Sequence, residues 1–137
     1  MTEAQIHEEI SNLIRKEIGK PFFRAWLGCV NDRGSLSCRV RFQPSDKLLT
    51  YTSSMLSIDT SLQIDRTVLA LLEKRSLALR KPCNAVTFIL ETDGTVRCDY
   101  GVRDVVKTGW DPIFEQWDRD YLTGLKPAPV KGKPWKS

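Results

Sequence analysis

The stretch VTFILETDGTVRCDY, residues 86–100, decides the fold, because it has the pattern of two strands joined by a tight turn. Thr92-Asp93-Gly94 supplies a three-residue loop with glycine in the last position, where a left-handed backbone is required. That loop predicts three cross-strand pairs that share one face: Leu90 with Val96, Phe88 with Cys98, and Val86 with Tyr100. The opposite face is mostly polar, so the hairpin is predicted to cover a core on one side only.

A second hairpin is predicted upstream, where apolar and polar residues alternate through the strand Leu36 to Gln43. The turn residues 31–34 separate this strand from an apolar run, Ala25 to Val30, and a third strand is predicted from Leu48 to Ser53. Two registers of the hairpin remain open. A two-residue loop turns Leu27 and Cys29 inward, with Cys29 opposite Cys38. A three-residue loop, preferred because Gly34 ends it, instead turns inward Trp26, Gly28 and Val30.

Three helices complete the predicted fold. Thr2 and Gln5 fit a capping box before the first helix, which Gly19 ends. The second helix begins at one of the caps Asp59, Thr60 or Ser61 and runs to Pro82. In the third, residues 111–124, Asp111 is the expected cap, and Pro112 takes the first helical position. The prediction is therefore an α+β domain, residues 1–124, with an antiparallel sheet of about five strands packed against helices in the order α-β-β-β-α-β-β-α, followed by a basic Pro/Lys-rich tail, residues 125–137.

Charge is unevenly distributed along this chain of net charge +4. Residues 86–123 carry eight acidic and four basic side chains, whereas the tail carries four lysines, no acid and Trp135. The tail composition favours an extended, solvated segment. The basic tail, together with Arg39 and Arg41 on one strand face, leaves nucleic-acid binding as an alternative function. The basic residues are scattered along the chain, so nucleic acid is not the expected partner.

The residues that chemistry usually needs are sparse. The four cysteines form no CxxC pair and the single histidine, His7, is expected on the surface, so neither a zinc site nor a Cys-His or Ser-His-Asp arrangement is predicted. No cofactor, metal or enzymatic activity is expected. The polar N-terminus and the lack of a long apolar run predict a cytoplasmic protein without membrane contact.

Residues 86–100, together with the aromatic and acidic stretch Trp110 to Leu122, resemble the YezG-like immunity protein family. The shared features are a T-F strand, a glycine turn, a strand ending in D-Y and a terminal helix ending in an aromatic pattern. The resemblance implies an antitoxin that binds a cognate secreted toxin domain, commonly a nuclease, inside the cell. Inhibitors of basic nucleases are typically acidic overall, and this chain departs from that pattern.

The acidic and aromatic C-terminal half is the predicted partner-binding region. An inhibitor can place carboxylates in the basic cleft that would otherwise hold phosphate, which raises the association rate and specificity. An alternative stays open for the aromatic residues, since they could instead close the core beneath the third helix. The predicted partner-binding residues are Asp99, Asp104, Trp110, Asp111, Glu115, Trp117, Asp118, Asp120 and Tyr121.

Overall fold

The computed structural model describes residues 1–129, which form a six-stranded sheet with helices on both faces. The α+β class and the main element order are confirmed, with a one-turn helix and a two-residue strand added near the C-terminus. The elements are α1 (Glu3–Ile18), β1 (Arg24–Asp32), β2 (Ser35–Gln43), β3 (Thr50–Ser54), α2 (Ile58–Leu79), β4 (Ala85–Glu91), β5 (Val96–Gly101), α3 (Val105–Thr108), α4 (Trp110–Tyr121) and β6 (Lys126–Pro127).

The strands lie in the order β5-β4-β1-β2-β3-β6, so the two predicted hairpins meet through β1 and β4 at the centre of the sheet. All pairs are antiparallel except β3 with β6. Both central strands are buried along most of their length, because each is covered on both faces.

Helices α1 and α2 cover one face of the sheet and bury the larger core. The capping box at α1 is confirmed: Gln5 N–H donates to Thr2 Oγ1, and Thr2 N–H donates to the Gln5 side chain. Gly19 ends the helix with a left-handed backbone, as expected. The fully buried side chains of this core include Ile10, Ile14, Leu27, Ile64, Val68, Leu71, Phe88 and Leu90.

The β1–β2 hairpin uses the two-residue loop, so the preferred three-residue register is wrong. Arg33 and Gly34 both have positive φ, 51° and 92°, the backbone of the tight turn whose twist matches the adjoining strands. Arg33 thus has a left-handed backbone, whereas the prediction gave that conformation to Gly34 alone. Cys29 lies opposite Cys38 with the sulfurs 3.0 Å apart, both as free thiols.

The β4–β5 hairpin has the predicted register, with all three cross-strand pairs in place. The predicted burial on one side only is wrong, because Thr87 and Ile89 on the other face of β4 are buried as well. Trp26 and Val30 of β1 join them in a second, smaller core. Helix α4 packs on this second face of the sheet. The mostly polar sequence of the hairpin's outer face did not indicate that a helix covers it.

Two helix starts differ from the prediction. Ser57 caps α2 through its side-chain oxygen, ahead of the three expected candidates. Helix α4 begins at Trp110 after Gly109, and Asp111 lies in its first turn rather than at its cap. The start of α4 is set by the short helix α3, which Asp104 caps and which ends at Gly109 with a positive φ.

The first residues of the predicted tail join the sheet. Lys126 N–H donates to Leu49 O, and Ala128 N–H donates to Tyr51 O, so β6 adds a parallel strand beside β3. This pairing departs from the expectation of a wholly solvated tail. The remaining lysines of the tail and Trp135 lie outside the described residues, and the prediction for them stays untested.

Candidate binding surface

Helix α4 lies on the sheet face opposite α1 and α2. It packs close to the sheet at Gly28 of β1, because this residue has no side chain. A Cβ atom built on Gly28 would lie within 3.0 Å of three atoms of the Trp117 indole. Real Cβ atoms do not come that near, so only glycine lets the indole rest on the strand. The glycine in β1 therefore marks the position of the helix.

The buried indole is also held by a hydrogen bond. Trp117 Nε1–H donates to Thr87 Oγ1 of β4 at 2.8 Å, so the one polar atom of this ring has a partner inside the core. Together, Gly28 and Thr87 determine both how close the helix comes and how its central side chain is oriented.

Replacing Thr87 with valine should lower the free energy of unfolding by about 1–3 kcal/mol, because the shape is kept while the buried indole N–H loses its acceptor. Urea denaturation of the purified protein measures the change. The serine variant keeps the hydroxyl and is the control, so it should be more stable than the valine variant despite its smaller volume. Equal stability of valine variant and wild type would mean that the bond contributes nothing.

On the β2 side of α4, two arginines of the sheet bind the helix. The Arg39 guanidinium lies 4.4 Å from the centre of the Phe114 ring, and Arg41 Nε lies 3.8 Å from Asp118 Oδ1. At 3.8 Å the ion pair is too long for a hydrogen bond, so its attraction is Coulombic. Burial raises the pKa of the Asp118 carboxyl, against the opposing effect of Arg41 and Arg39. These arginines thus belong to the α4 contact rather than to an open basic surface.

At the other edge of the helix, Tyr121 Oη donates to Asp99 Oδ2 of β5 at 2.9 Å. A cavity of about 50 Å³ lies beside this contact, lined by Thr87, Trp117 and Tyr121 among others. That volume has room for a water molecule or two and is far smaller than the pockets that bind small substrates.

The outer side of α4 presents the free carboxylates. Asp111, Glu115 and Asp120 are exposed, and none of them takes part in an ion pair within residues 1–129. Arg119 on the same helix donates to the Gln116 side chain, and the Gln116 amide in turn donates to Asp120. The helix therefore presents a net acidic face to solvent.

The structure divides the nine predicted binding residues into three groups. Asp111, Glu115 and Asp120 are exposed on α4, and Asp120 accepts a hydrogen bond from the Gln116 amide. Trp117 is buried with its ring in the space above Gly28, which matches the alternative that the aromatic residues close the core beneath the third helix. The residues with structural partners but some exposure are Asp99, Asp104, Trp110, Asp118 and Tyr121.

Two members of that last group have clear structural roles. Asp104 accepts from Lys107 N–H as the cap of α3. The Trp110 ring stacks on Phe114 with the ring centres 6.5 Å apart. Asp104 and Trp110 are partly exposed, but both make contacts within the protein. The exposed carboxylates of α4 are therefore the better candidates for contact with a partner.

One pair of reactive side chains was not anticipated. His7 was expected to be a solvated surface residue, yet its Nε2 atom lies 3.0 Å from Cys98 Sγ, and its ring meets the edge of Phe88. The two residues are 91 positions apart, and only the packing of α1 over the β4–β5 hairpin joins them. Burial raises the pKa of the Cys98 thiol to about 12, so at neutral pH it is protonated and a poor nucleophile.

Within residues 1–129, no group of three or more His, Cys, Asp or Glu side chains is arranged to hold a metal ion. None of the helices there has the length and apolar character needed to cross a bilayer.

No family model matches this chain, and no curated protein matches it.

Proposed function

We propose that the protein is an immunity protein, which binds a cognate secreted toxin domain and neutralises it by covering its active site or substrate cleft. The observation that carries the proposal is the exposed acidic face of α4, whose carboxylates Asp111, Glu115 and Asp120 project from a helix fixed to the sheet. A rigid helix presents charges in a defined arrangement, and this reduces the ordering cost of binding.

The toxin is proposed to be a nuclease, on two grounds. Carboxylates on a helix can take the place of phosphates in a basic cleft and speed the encounter of the two proteins. The resemblance of residues 86–100 and 110–122 to YezG-like immunity proteins points to the same class of partner. The net charge of +4 does not oppose local complementarity, because residues 86–123 carry twice as many acids as bases.

The nucleic-acid-binding alternative loses part of its support, since Arg39 and Arg41 contact Phe114 and Asp118 of α4. Side chains engaged in this way are less available to phosphates.

A co-expression experiment tests the proposal. The proposal predicts that an adjacent gene encodes a secreted protein with a toxic C-terminal domain, and that domain is expressed in a bacterial host, alone and with this chain. The domain alone should stop growth, and co-expression should restore it. A domain that is harmless, or toxicity that this chain leaves unchanged, would contradict the proposed role.

A further inference from the structure

Helix α2 has a second apolar stripe on the side that faces away from the sheet. Its core-facing stripe consists of Ile64, Val68, Leu71 and Leu72. The outward stripe recurs at helical spacing through Ile58, Leu62, Leu69 and Leu77. Three of these four are exposed, at 80% for Ile58, 57% for Leu62 and 73% for Leu77. Soluble surface helices normally present polar residues there, so this face calls for a partner.

Two side chains of opposite charge, Arg66 and Glu73, interrupt the outward apolar stripe. Arg66 and Glu73 lie on the same side of α2 as the four apolar residues, two helical turns apart. Both are exposed, and neither forms an ion pair with any other residue of the described chain. At seven residues apart they are too distant to pair with each other.

We infer that this face of α2 binds a second copy of the same chain, with the two α2 helices antiparallel about a two-fold axis between Leu69 and Ala70. In that alignment Leu62 of one copy meets Leu77 of the other, and Arg66 meets Glu73. A two-fold axis repeats every contact, so both charged side chains of both copies find an opposite charge.

Neighbouring alignments lack this complementarity. Sliding one helix by four residues, about one turn, sets Leu62 against Glu73 and Arg66 against Leu69, which leaves charges against apolar side chains. The self-complementary sequence is the property that selects a second copy over an unrelated partner. A contact along a single helix per copy is small, so a dimer with a dissociation constant in the micromolar range is expected.

This interface is independent of the proposed toxin contact. Helix α2 lies on one face of the sheet and α4 on the other. The dimer therefore leaves both acidic faces open to bind a partner.

A charge-swap experiment tests the dimer by sedimentation velocity, with wild-type protein over a range from about 1 to several hundred micromolar. Wild type should shift from monomer to dimer over that range. The single variants R66E and E73R should each dimerise at least about tenfold more weakly, because each places like charges opposite one another twice. Mixing the two variants should restore dimers, since the R66E copy is complementary to the E73R copy.

Two further variants complete the design. L62S should weaken the dimer, whereas V106S, which changes an exposed apolar residue on α3, should leave it unaffected. Circular dichroism establishes that each variant is folded. A wild type that stays monomeric at the highest concentration overturns the inference. So does a dimer that R66E, E73R and L62S leave intact, or a mixture of the two charge variants that fails to associate.

Discussion

Replacing Gly28 with valine should lower the free energy of unfolding by about 3 kcal/mol, the largest stability loss expected here from a single exchange to a larger side chain. The valine side chain would occupy the space of the Trp117 indole, and the backbone on either side of Gly28 is fixed by β2 and β4. The helix must then move away from the sheet, which opens the smaller core and breaks the bond to Thr87. Chemical denaturation measures the loss.

The Gly28 prediction has a matched control at Gly101, the last residue of β5. A Cβ atom there meets only the Arg103 side chain at 3.6 Å, an ordinary contact, so G101A should change stability by less than about 0.5 kcal/mol. A second check uses the pair G28A and W117L. If the clash is the cause, the double variant should be more stable than the sum of the single effects predicts. Strict additivity, or a stable Gly28→Val variant, would show that α4 does not rest on this glycine.

Reversing two charges on α4, in the double variant E115K/D120K, should weaken toxin binding at least about a hundredfold, or roughly 3 kcal/mol. The reason is that lysines would face the basic cleft that the carboxylates are proposed to fill. Both positions are exposed and neither caps a helix, so the thermal midpoint should stay near that of wild type. Growth rescue in the co-expression assay and the affinity of the purified pair both report the effect.

The matched control for this variant is E8K/D46K, which changes the net charge by the same amount. Glu8 on α1 and Asp46 in the loop after β2 are exposed and lie outside α4. Binding should remain close to wild type, and the comparison separates a local contact from a general effect of charge. Equal losses in both double variants would indicate long-range electrostatics alone.

Asp118 is left out of the reversal for a structural reason. Asp118 and Asp120 both belong to the predicted partner-binding residues. In the structure, Asp118 is half-buried and close to Arg41, so a lysine there would set two cations side by side and loosen α4. Loss of function in an Asp118 variant would therefore mix binding with stability.

Local signals in the sequence were sufficient for much of the fold. The capping box at Thr2, the three-residue loop ending at Gly94 and the alternation in β2 each depend on residues a few positions apart, and each yielded the observed element. The prediction of the β1–β2 register was wrong because it assumed that only Gly34 adopts a positive φ, which favours a three-residue loop. In the structure Arg33 also has a positive φ, and this gives the two-residue loop. Arginine does so here because the two-residue loop suits the twist of the strands.

The second core could not be derived from periodicity. Thr87 looks like a solvent-facing strand residue until a helix supplies an indole N–H for its hydroxyl to accept. Gly28 likewise has no local reason to be glycine, and its role becomes clear only from a helix that follows about eighty residues later in the chain. The pairing of His7 with Cys98 is non-local in the same sense.

The candidate site was predictable in composition but not in detail. The acidic character of residues 86–123 marked the right region for an exposed acidic surface. Which acids are free was a question of helix orientation: Trp117 turns toward the sheet and becomes core, whereas Glu115 and Asp120 turn outward. A helical pattern alone left both assignments of the aromatic residues open.

The most direct test of the proposed function is the affinity between this protein and the purified toxin domain, measured by calorimetry for wild type, E115K/D120K and E8K/D46K. Wild type should bind with a dissociation constant on the order of nanomolar or below, roughly 12 kcal/mol. The α4 variant should lose at least about a hundredfold in affinity, while the control variant binds like wild type. No complex with wild type, or a complex that E115K/D120K leaves as tight as before, would contradict neutralisation through the acidic face of α4.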